Sequence, residues 1–412
     1  MRGNRRVRTL AMAGAASLAL FAAGTAQAQT NEVQELRNQV KQLLERIEKL
    51  EKAPPAAAPT AAPAGNPFVS SATPKVKFTL GGWIHRAAVF ADDGFDTDTL
   101  FVDNNGASSR ILGTATGKIN DTWTAGTVLE IEAISNNSRT AGIQQNAPGA
   151  FAWNERKMEV WFEGKGFGRV WFGQGDVASQ ATSEVDLSGT ANLGGYSDVG
   201  ATFGGLQFRN SATQAFGPTV NTVTNNFDGL NRDDRIRYDT PTFNGFQAMT
   251  SVLDGGAWDV ALRYSGKVGD TTVGAAIAYA DSAAASAGAG AGVDNQVNGS
   301  VSVRLASGFN LTAAAGSREY TVGRDSEFWY VKAGYINKIN SLGNTAFAVD
   351  YYSQEDNFQL GDEASAWGAY IVQYLDAISS EIYVGLRNHE YDQRTANFED
   401  VFGVITGARV RF

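Results

Sequence analysis

The chain has 412 residues, of which 43% are hydrophobic, with 46 glycines, two histidines and no cysteine. The lack of cysteine excludes a disulfide scaffold, and with only two histidines it argues against a zinc or iron site. The formal net charge of −9 argues against nucleic acid as a partner. We therefore expect no metal, no cofactor and no nucleic-acid partner.

Residues 1–28 are organised like a secretory signal peptide. A basic stretch precedes an apolar run and a small-residue cleavage site: Arg2, Arg5, Arg6 and Arg8, then Leu10–Ala23, then Ala26-Gln27-Ala28. An uncleaved anchor is the alternative. Cleavage would remove four positive and no negative charges, which takes the net charge from −9 to −13.

Residues 30–52 predict a coiled-coil helix. Apolar residues occupy the a and d positions of three heptads, with β-branched residues at a and leucine at d: Val33, Leu36, Val40, Leu43, Ile47 and Leu50. This pattern suits a parallel assembly and usually favours dimers, although Leu44 widens the apolar stripe enough for a trimer. A helix docked on the protein's own surface is the alternative.

Residues 53–74 form a linker rich in proline and alanine, which we expect to be extended. Six of the nine prolines of the chain lie here, and the other three are Pro148, Pro218 and Pro241. We place those three in loops or turns, so that no proposed strand after residue 74 contains a proline. This is what a large hydrogen-bonded sheet requires.

Residues 75–412 contain short segments in which apolar and polar residues alternate, as in β-strands. Seven tight turns alternate with eight other breaks, which include the loops 91–107 and 176–232 and predict sixteen strands. No apolar run after residue 23 is long enough for a helix to span a membrane. We predict an all-β fold, a 16-stranded antiparallel transmembrane β-barrel with the α-helical coiled-coil segment before it.

The final segment, "ITGARVRF", alternates and ends on Phe412. We predict that it is the sixteenth strand, that it closes the barrel against the first strand, Val76–Phe90, and that Phe412 lies in the periplasmic aromatic girdle. A terminal phenylalanine of this kind resembles the signal that the outer-membrane insertion machinery reads. A soluble strand with one buried face is the alternative for this segment alone.

Three stretches resemble the general Gram-negative trimeric outer-membrane porins: "SRILGTATGKINDTWTAGTVLEIE" at 109–132, "RKMEVWFEGKGFGRVWFGQ" at 156–174 and, most closely, "RIRYDTPTFNGFQAMTSV" at 235–252. The coiled coil and linker are similar to those of porins that extend a helix into the periplasm, such as the dicarboxylate-associated group. The resemblance implies a homotrimer in the outer-membrane lipid of a Gram-negative bacterium, with one channel per subunit and the N-terminal helix in the periplasm.

The resemblance also implies that the third long loop, 176–232, folds into the lumen and sets acidic residues against arginines on the wall. "SEVDLSGTA" at 183–191 is similar to the tip of that loop, although the family's proline is absent. Asp186 then matches the family's acidic residue, with Glu184 beside it and Asp198 further on. Arg110 and Arg237 match wall arginines.

Alternation gives an independent expectation for the wall. It turns Arg110, Arg235 and Arg237 towards the lumen, together with Trp83 and His85 on the first strand. The same alternation turns further charged wall residues inwards, and the alternative interpretation is that most of them are lumenal charges with no special role. These residues are Glu130, Glu132, Asp259, Arg263, Arg304, Asp350, Arg387 and Arg409.

Arg156 and Lys157 present a conflict. The resemblance carries a wall arginine to Arg156, yet alternation puts Arg156 on the face of Met158 and Val160 and turns Lys157 inwards. An arginine facing lipid near mid-membrane would cost about 2–4 kcal/mol. We favour Lys157 as the lumenal charge unless a one-residue bulge turns both side chains inwards.

The leading hypothesis for function is a water-filled channel for passive diffusion of small hydrophilic solutes and ions. The alternatives are a substrate-specific porin, for example for carboxylates, and an envelope tether that binds peptidoglycan through the coiled coil. His85 and His389 lie far apart without a nucleophile pattern, so we expect no enzyme and no catalytic residues. The predicted constriction charges are nearly balanced, which favours weak selectivity, slightly for cations.

Overall fold

The computed structural model describes residues 75–144, 151–191, 193, 195–282 and 292–412. The predicted signal peptide (1–28), coiled coil (30–52) and linker (53–74) lie outside the described residues. Among the described residues, no helix is long and apolar enough to cross a membrane.

The described residues form twenty strands. In chain order these are β1 (Val76–Asp92), β2 (Thr97–Asp103), β3 (Arg110–Lys118), β4 (Trp123–Ile134), β5 (Ala152–Gly164), β6 (Gly168–Asp176), β7 (Gln207–Arg209), β8 (Phe216–Thr219), β9 (Arg232–Asp239), β10 (Phe246–Leu253), β11 (Trp258–Val268), β12 (Thr271–Asp281), β13 (Val293–Arg304), β14 (Phe309–Tyr320), β15 (Asp325–Asn340), β16 (Gly343–Glu355), β17 (Asp362–Leu375), β18 (Ser380–Gln393), β19 (Ala396–Asn397) and β20 (Val401–Arg411). Two single-turn helices are α1 (Gly200–Phe203) and α2 (Val220–Val223).

Sixteen strands form a closed antiparallel barrel, as predicted. The wall consists of all the strands except β2, β7, β8 and β19, and each pairs with its neighbours along the chain. The barrel closes where β20 pairs with β1, with Trp83 opposite Arg411 and Asp92 opposite Phe402. Beyond that ladder, Gly82 and Phe412 exchange two backbone hydrogen bonds of 3.1 Å.

Wall side chains alternate between the outer surface and the lumen. On β14, Phe309 and Leu311 are exposed on the outer surface, while Asn310 and Thr312 are buried on the lumenal side. This is the pattern of a barrel whose apolar outer band faces lipid. All seven predicted tight turns join neighbouring wall strands at one end, and the longer connections lie at the other end.

Three predicted loops contain strands, counting the two-residue β19 (Ala396–Asn397) in the break 393–399. We expected 91–107 to be a loop, yet β2 lies within it and pairs with Arg86–Asp92 of β1. The reason is that Leu100 and Val102 of β2 are almost completely buried, so the hairpin extends the barrel's packing. Pro218, expected in a loop, lies in β8 of a small hairpin with β7 inside the longest loop, where it interrupts no wall ladder.

Candidate functional site: a loop-lined cavity in the barrel lumen

The longest loop, between β6 and β9, follows the inner wall of the barrel. The backbone N–H groups of Val185 and Leu187 donate to the hydroxyls of Ser300 and Ser302 on β13, each at 2.9 Å. Buried backbone groups need such partners, and short polar side chains on the lumenal face of β13 supply them. The polar inner face of the wall therefore holds the loop inside the barrel.

The second half of the loop returns along β14–β16. The backbone N–H of Asn225 lies 2.9 Å from the hydroxyl of Tyr352, and the ring of Phe227 meets that of Phe328 at 5.2 Å. Phe227 and Tyr352 are fully buried, and they belong to a hydrophobic cluster between loop and wall. Apolar packing thus fixes the position of this part of the loop.

The loop leaves a cavity of ≈ 580 Å³ in the lumen. Trp83 lines it together with several amide side chains. Its charged lining consists of six arginines and four carboxylates: Arg110, Arg139, Arg156, Arg232, Arg318 and Arg409, and Glu132, Glu184, Asp198 and Asp228. A space of this size lined by charges of both signs is what a constriction for hydrophilic solutes needs.

The wall side of the cavity carries a network of two arginines and two glutamates. Arg110 lies 2.6 Å from Glu130, and Arg156 lies 2.8 Å from Glu130 and 3.3 Å from Glu132. Both guanidinium groups are thereby held on the lumenal face. Arg110 also lies 4.7 Å above the ring of Trp83, a cation–π contact that orients it.

A β-bulge resolves the position of Arg156. Glu130 lies opposite Lys157 while Ile131 lies opposite Glu155, which leaves Arg156 without a partner on β4. The extra residue allows both Arg156 and Lys157 to turn towards the lumen. A bulge of this kind was the condition under which the sequence predicted that both side chains face the lumen. Strict alternation fails for Arg156 but holds for Lys157. Lys157 does not line the cavity, because it forms an ion pair with Asp176 at the start of the loop.

The loop side of the cavity carries three carboxylates. Asp198 is paired with Arg139. Glu184 accepts a hydrogen bond of 2.8 Å from Asn226, and burial raises its pKa to about 7, with a further rise from the charge of Asp198. Burial also raises the pKa of Asp228, and the charge of Glu184 adds to that rise. Glu184 therefore titrates near neutral pH.

Asp186 does not face the arginine wall, contrary to expectation. Its carboxylate lies 2.7 Å from Lys332 on β15, and both side chains are almost completely buried. The loop crosses the lumenal face of β15 at this point, and a buried lysine requires a counter-charge. Asp186 therefore anchors the loop tip to the opposite wall.

Arg235 and Arg237 turn inwards as alternation predicted, but neither lines the cavity. Arg235 pairs with the buried Glu159. Arg237 lies 2.7 Å from Asp239 and donates to the backbone carbonyl of Val177 at 3.1 Å. Both arginines support the base of the loop, so they are separated from the cavity by the loop that they hold.

His85 also turns inwards without reaching the cavity. One ring nitrogen lies 2.9 Å from the carbonyl oxygen of Ala107 and the other 2.8 Å from the hydroxyl of Tyr383. The ring is completely buried. His85 is thus a satisfied structural residue that ties β1 to β18, while Trp83, two residues before it, reaches the cavity.

Four charged lining residues were not identified from the sequence at all: Arg139, Arg232, Arg318 and Asp228. Arg318 lies on β14, and alternation predicts that it faces the lumen. Alternation along a single strand does not show whether a lumenal residue lies at the height of the loop. Arg139 and Asp228 lie in loops, which have no periodicity to interpret. Arg409 was predicted only as a lumenal charge, and it lies 5.7 Å from the ring of Trp83.

A model of the Gram-negative porin family matches residues 14–394. A comparison with curated protein sequences found no match. Among solved structures, an anion-selective porin from Comamonas acidovorans is 17% identical with a TM-score of 0.55, and the match covers 82% of this chain and 100% of that one.

Two further solved structures are each 12% identical to the chain. OprB of Pseudomonas putida has a TM-score of 0.55, with 82% of this chain and 94% of that chain covered. The outer membrane channel DcaP of Acinetobacter baumannii has a TM-score of 0.51, with 84% and 99% covered. At these identities the structural likeness is evidence for the fold alone.

Proposed function

The chain belongs to the Gram-negative porin family, whose outer-membrane channels let solutes diffuse, and we propose that the loop-lined cavity is the narrowest part of its channel. The observation that carries this proposal is the position of the loop between β6 and β9. It lies inside the lumen and sets Glu184 and Asp198 across a ≈ 580 Å³ space from Arg110 and Arg156.

The charge of the lining supports a weak preference for anions. Six guanidinium groups and four carboxylates line the cavity. Some carboxylates on the lumenal face of the wall, such as Glu130, do not line the cavity but pair with these guanidinium groups. Their negative charge keeps the anion preference weak. Charges further than about 8–10 Å are screened at physiological salt, so the acidic balance of the whole chain has little effect. This replaces the sequence-based expectation of a slight cation preference.

Reversal potentials in a KCl gradient across a planar bilayer test the constriction. Arg156→Ser removes a lining charge, so the reversal potential should move towards that of a cation-selective channel. Arg304→Ser is the matched control, because Arg304 lies at the tight-turn end of β13 and does not line the cavity. Equal shifts in the two variants, or none in either, would exclude this cavity as the constriction.

The barrel surface supports a homotrimer. The outer face of β3 carries small residues at successive outward positions, Gly113, Ala115 and Gly117, where most other wall strands carry larger apolar side chains. Gly113 is buried and lies beside the ring of Phe78 on β1, so the surface offered to a second barrel consists of small side chains together with that ring. Arg86, also on the outer face, lies 3.8 Å from Asp103. Light scattering of the purified protein in detergent should give the mass of three subunits, and Ala115→Trp should reduce it.

A further inference from the structure

Three charged groups of the cavity lining form no ion pair within the part of the chain that the structure describes: Arg318, Glu184 and Asp228. Every other charged lining residue has an oppositely charged partner. Unpaired charges at a water-filled site are available to a solute. They also carry both signs, which restricts the kind of solute that they suit.

Arg318 is held rigidly without being neutralised. Its Nε donates to Gln296 at 2.8 Å, its Nη2 lies 3.4 Å from the side-chain oxygen of Asn225, and its guanidinium carbon lies 4.4 Å above the ring of Phe227. The residue is 7% exposed. A fixed guanidinium with free N–H groups is a binding site for a carboxylate, because charge-assisted hydrogen bonds are the strongest available.

Glu184 and Asp228 both line the cavity and are linked through Ala181, whose carbonyl accepts a hydrogen bond of 3.3 Å from the backbone N–H of Glu184. Asp228 accepts hydrogen bonds from the side chain of Gln180 and the backbone of Ala181. The other polar atom of the Gln180 side chain, Oε1, is buried and has no hydrogen-bond partner among the described residues, although Gln180 lines the cavity and is 8% exposed. Two carboxyls and an unpartnered acceptor suit an ammonium group, which has three donors and no acceptor.

Consecutive residues connect the two subsites. Asn225 contacts Arg318, and Asn226 donates to Glu184. Arg318, Glu184 and both asparagines line the same cavity, so one solute in it meets both subsites. A simple anion at Arg318 is repelled by the carboxylates, and a simple cation is repelled by the arginines.

We propose that the cavity binds small zwitterionic solutes, of the amino-acid or short ω-amino-carboxylate class, with the carboxylate on Arg318 and the ammonium group at Glu184, Asp228 and Gln180. This inference rests on the proposed function, since it assigns a substrate class to the same cavity. Binding is weak enough for release, as conduction requires.

The test compares three solutes of matched length: 4-aminobutanoate, butanoate and butylammonium. Each is added at neutral pH to the full-length protein in a planar bilayer, and the concentration that halves the KCl conductance is measured. The zwitterion should act at a concentration at least about tenfold lower than either singly charged solute, since each added charged hydrogen bond contributes roughly that factor. Equal potency of butanoate and 4-aminobutanoate would show a simple anion site and overturn the proposal.

Variants assign the two ends. Arg318→Gln should weaken block by 4-aminobutanoate to the level of butylammonium, and Glu184→Gln with Asp228→Asn should weaken it to the level of butanoate. Arg304→Gln, the matched control, should leave block unchanged. Unchanged block in the Arg318 variant overturns the inference. The proposed constriction is judged separately by the reversal potential of Arg156→Ser, so the two failures are distinguishable.

Discussion

Glu130 illustrates how single residues set the field in the cavity. Its carboxylate lies 2.6 Å from Arg110 and 2.8 Å from Arg156, so one acidic group holds two guanidinium groups. Because the two arginines share this one carboxylate, it does not neutralise both of them, and part of their positive charge remains towards the lumen. Glu184 on the loop side differs, because among the described residues its side chain has only an amide partner, Asn226.

The charge of Glu184 should make ion selectivity depend on pH. Its pKa is raised to about 7 by burial and by the charge of Asp198, so it gains a negative charge as pH rises through neutrality. Reversal potentials measured on either side of pH 7 should move towards cation selectivity with rising pH. Glu184→Gln should remove most of that movement. An unchanged pH profile in the variant would show that Glu184 does not titrate in this range.

Asp186→Asn should destabilise the barrel without altering selectivity. The change leaves Lys332 buried without a counter-charge, and breaking a buried pair in this way costs about 3–5 kcal/mol. Urea unfolding of the folded protein measures the loss. Asp186→Asn combined with Lys332→Met leaves no unpaired charge and should recover most of the stability. Wild-type stability in the single variant would mean that the pair does not anchor the loop.

At the scale of elements, the sequence predicted the features that hydrophobic periodicity determines. The wall strands and their tight turns follow from alternation and turn residues, because each wall strand has one lipid-facing and one lumenal side. β2 was not predicted because it pairs with β1, and β1 already had two expected neighbours in the barrel, β3 and β20. The bulge at Arg156 could not be located from β5 alone, since it is defined by the residues opposite on β4.

The loop between β6 and β9 shows why the site was only partly predictable. Its length and acidic residues were visible in the sequence. Which acid faces the arginines depends on where the loop crosses the inner wall, and that is fixed by distant partners such as Ser300 and Lys332. The sequence therefore predicted the presence of Glu184, Asp186 and Asp198 in the loop, but not that Asp186 turns to the opposite wall.

The closing element depends on Phe412. Its backbone pairs with Gly82, and a side chain on Gly82 would collide with the Phe412 ring, which is 65% exposed on the outer surface. Phe412→Ser should lower the amount of folded protein in the outer membrane and leave the conductance of the remainder unchanged. Phe309→Ser, an exposed outer aromatic away from the closing pair, is the control. Equal amounts of both variants would argue against a special role for Phe412.

For the whole molecule, the wall is complete between Val76 and Phe412. β1 pairs with β20 on one side and with β3 and β2 on the other, so the ring of wall strands closes within the described residues. Loop and wall share a buried core, which couples the shape of the lumen to the closed barrel. Folding of the barrel and assembly of the trimer therefore need not depend on residues 30–74.

Deletion of residues 30–74 tests this separation. The shortened protein should still form a trimer with the conductance of the full chain, because the lining of the cavity and the outer face of β3 both lie within 75–412. Light scattering in detergent gives the mass, and single-channel recording gives the conductance. Ala115→Trp in the full-length chain is the complementary variant, since it enlarges a side chain on the outer face of β3 and leaves 30–74 intact. Trimers after the deletion, together with weakened trimers in Ala115→Trp, place assembly on the barrel wall. Monomers after the deletion would instead assign assembly to residues 30–74, as expected if the predicted coiled coil joins the subunits.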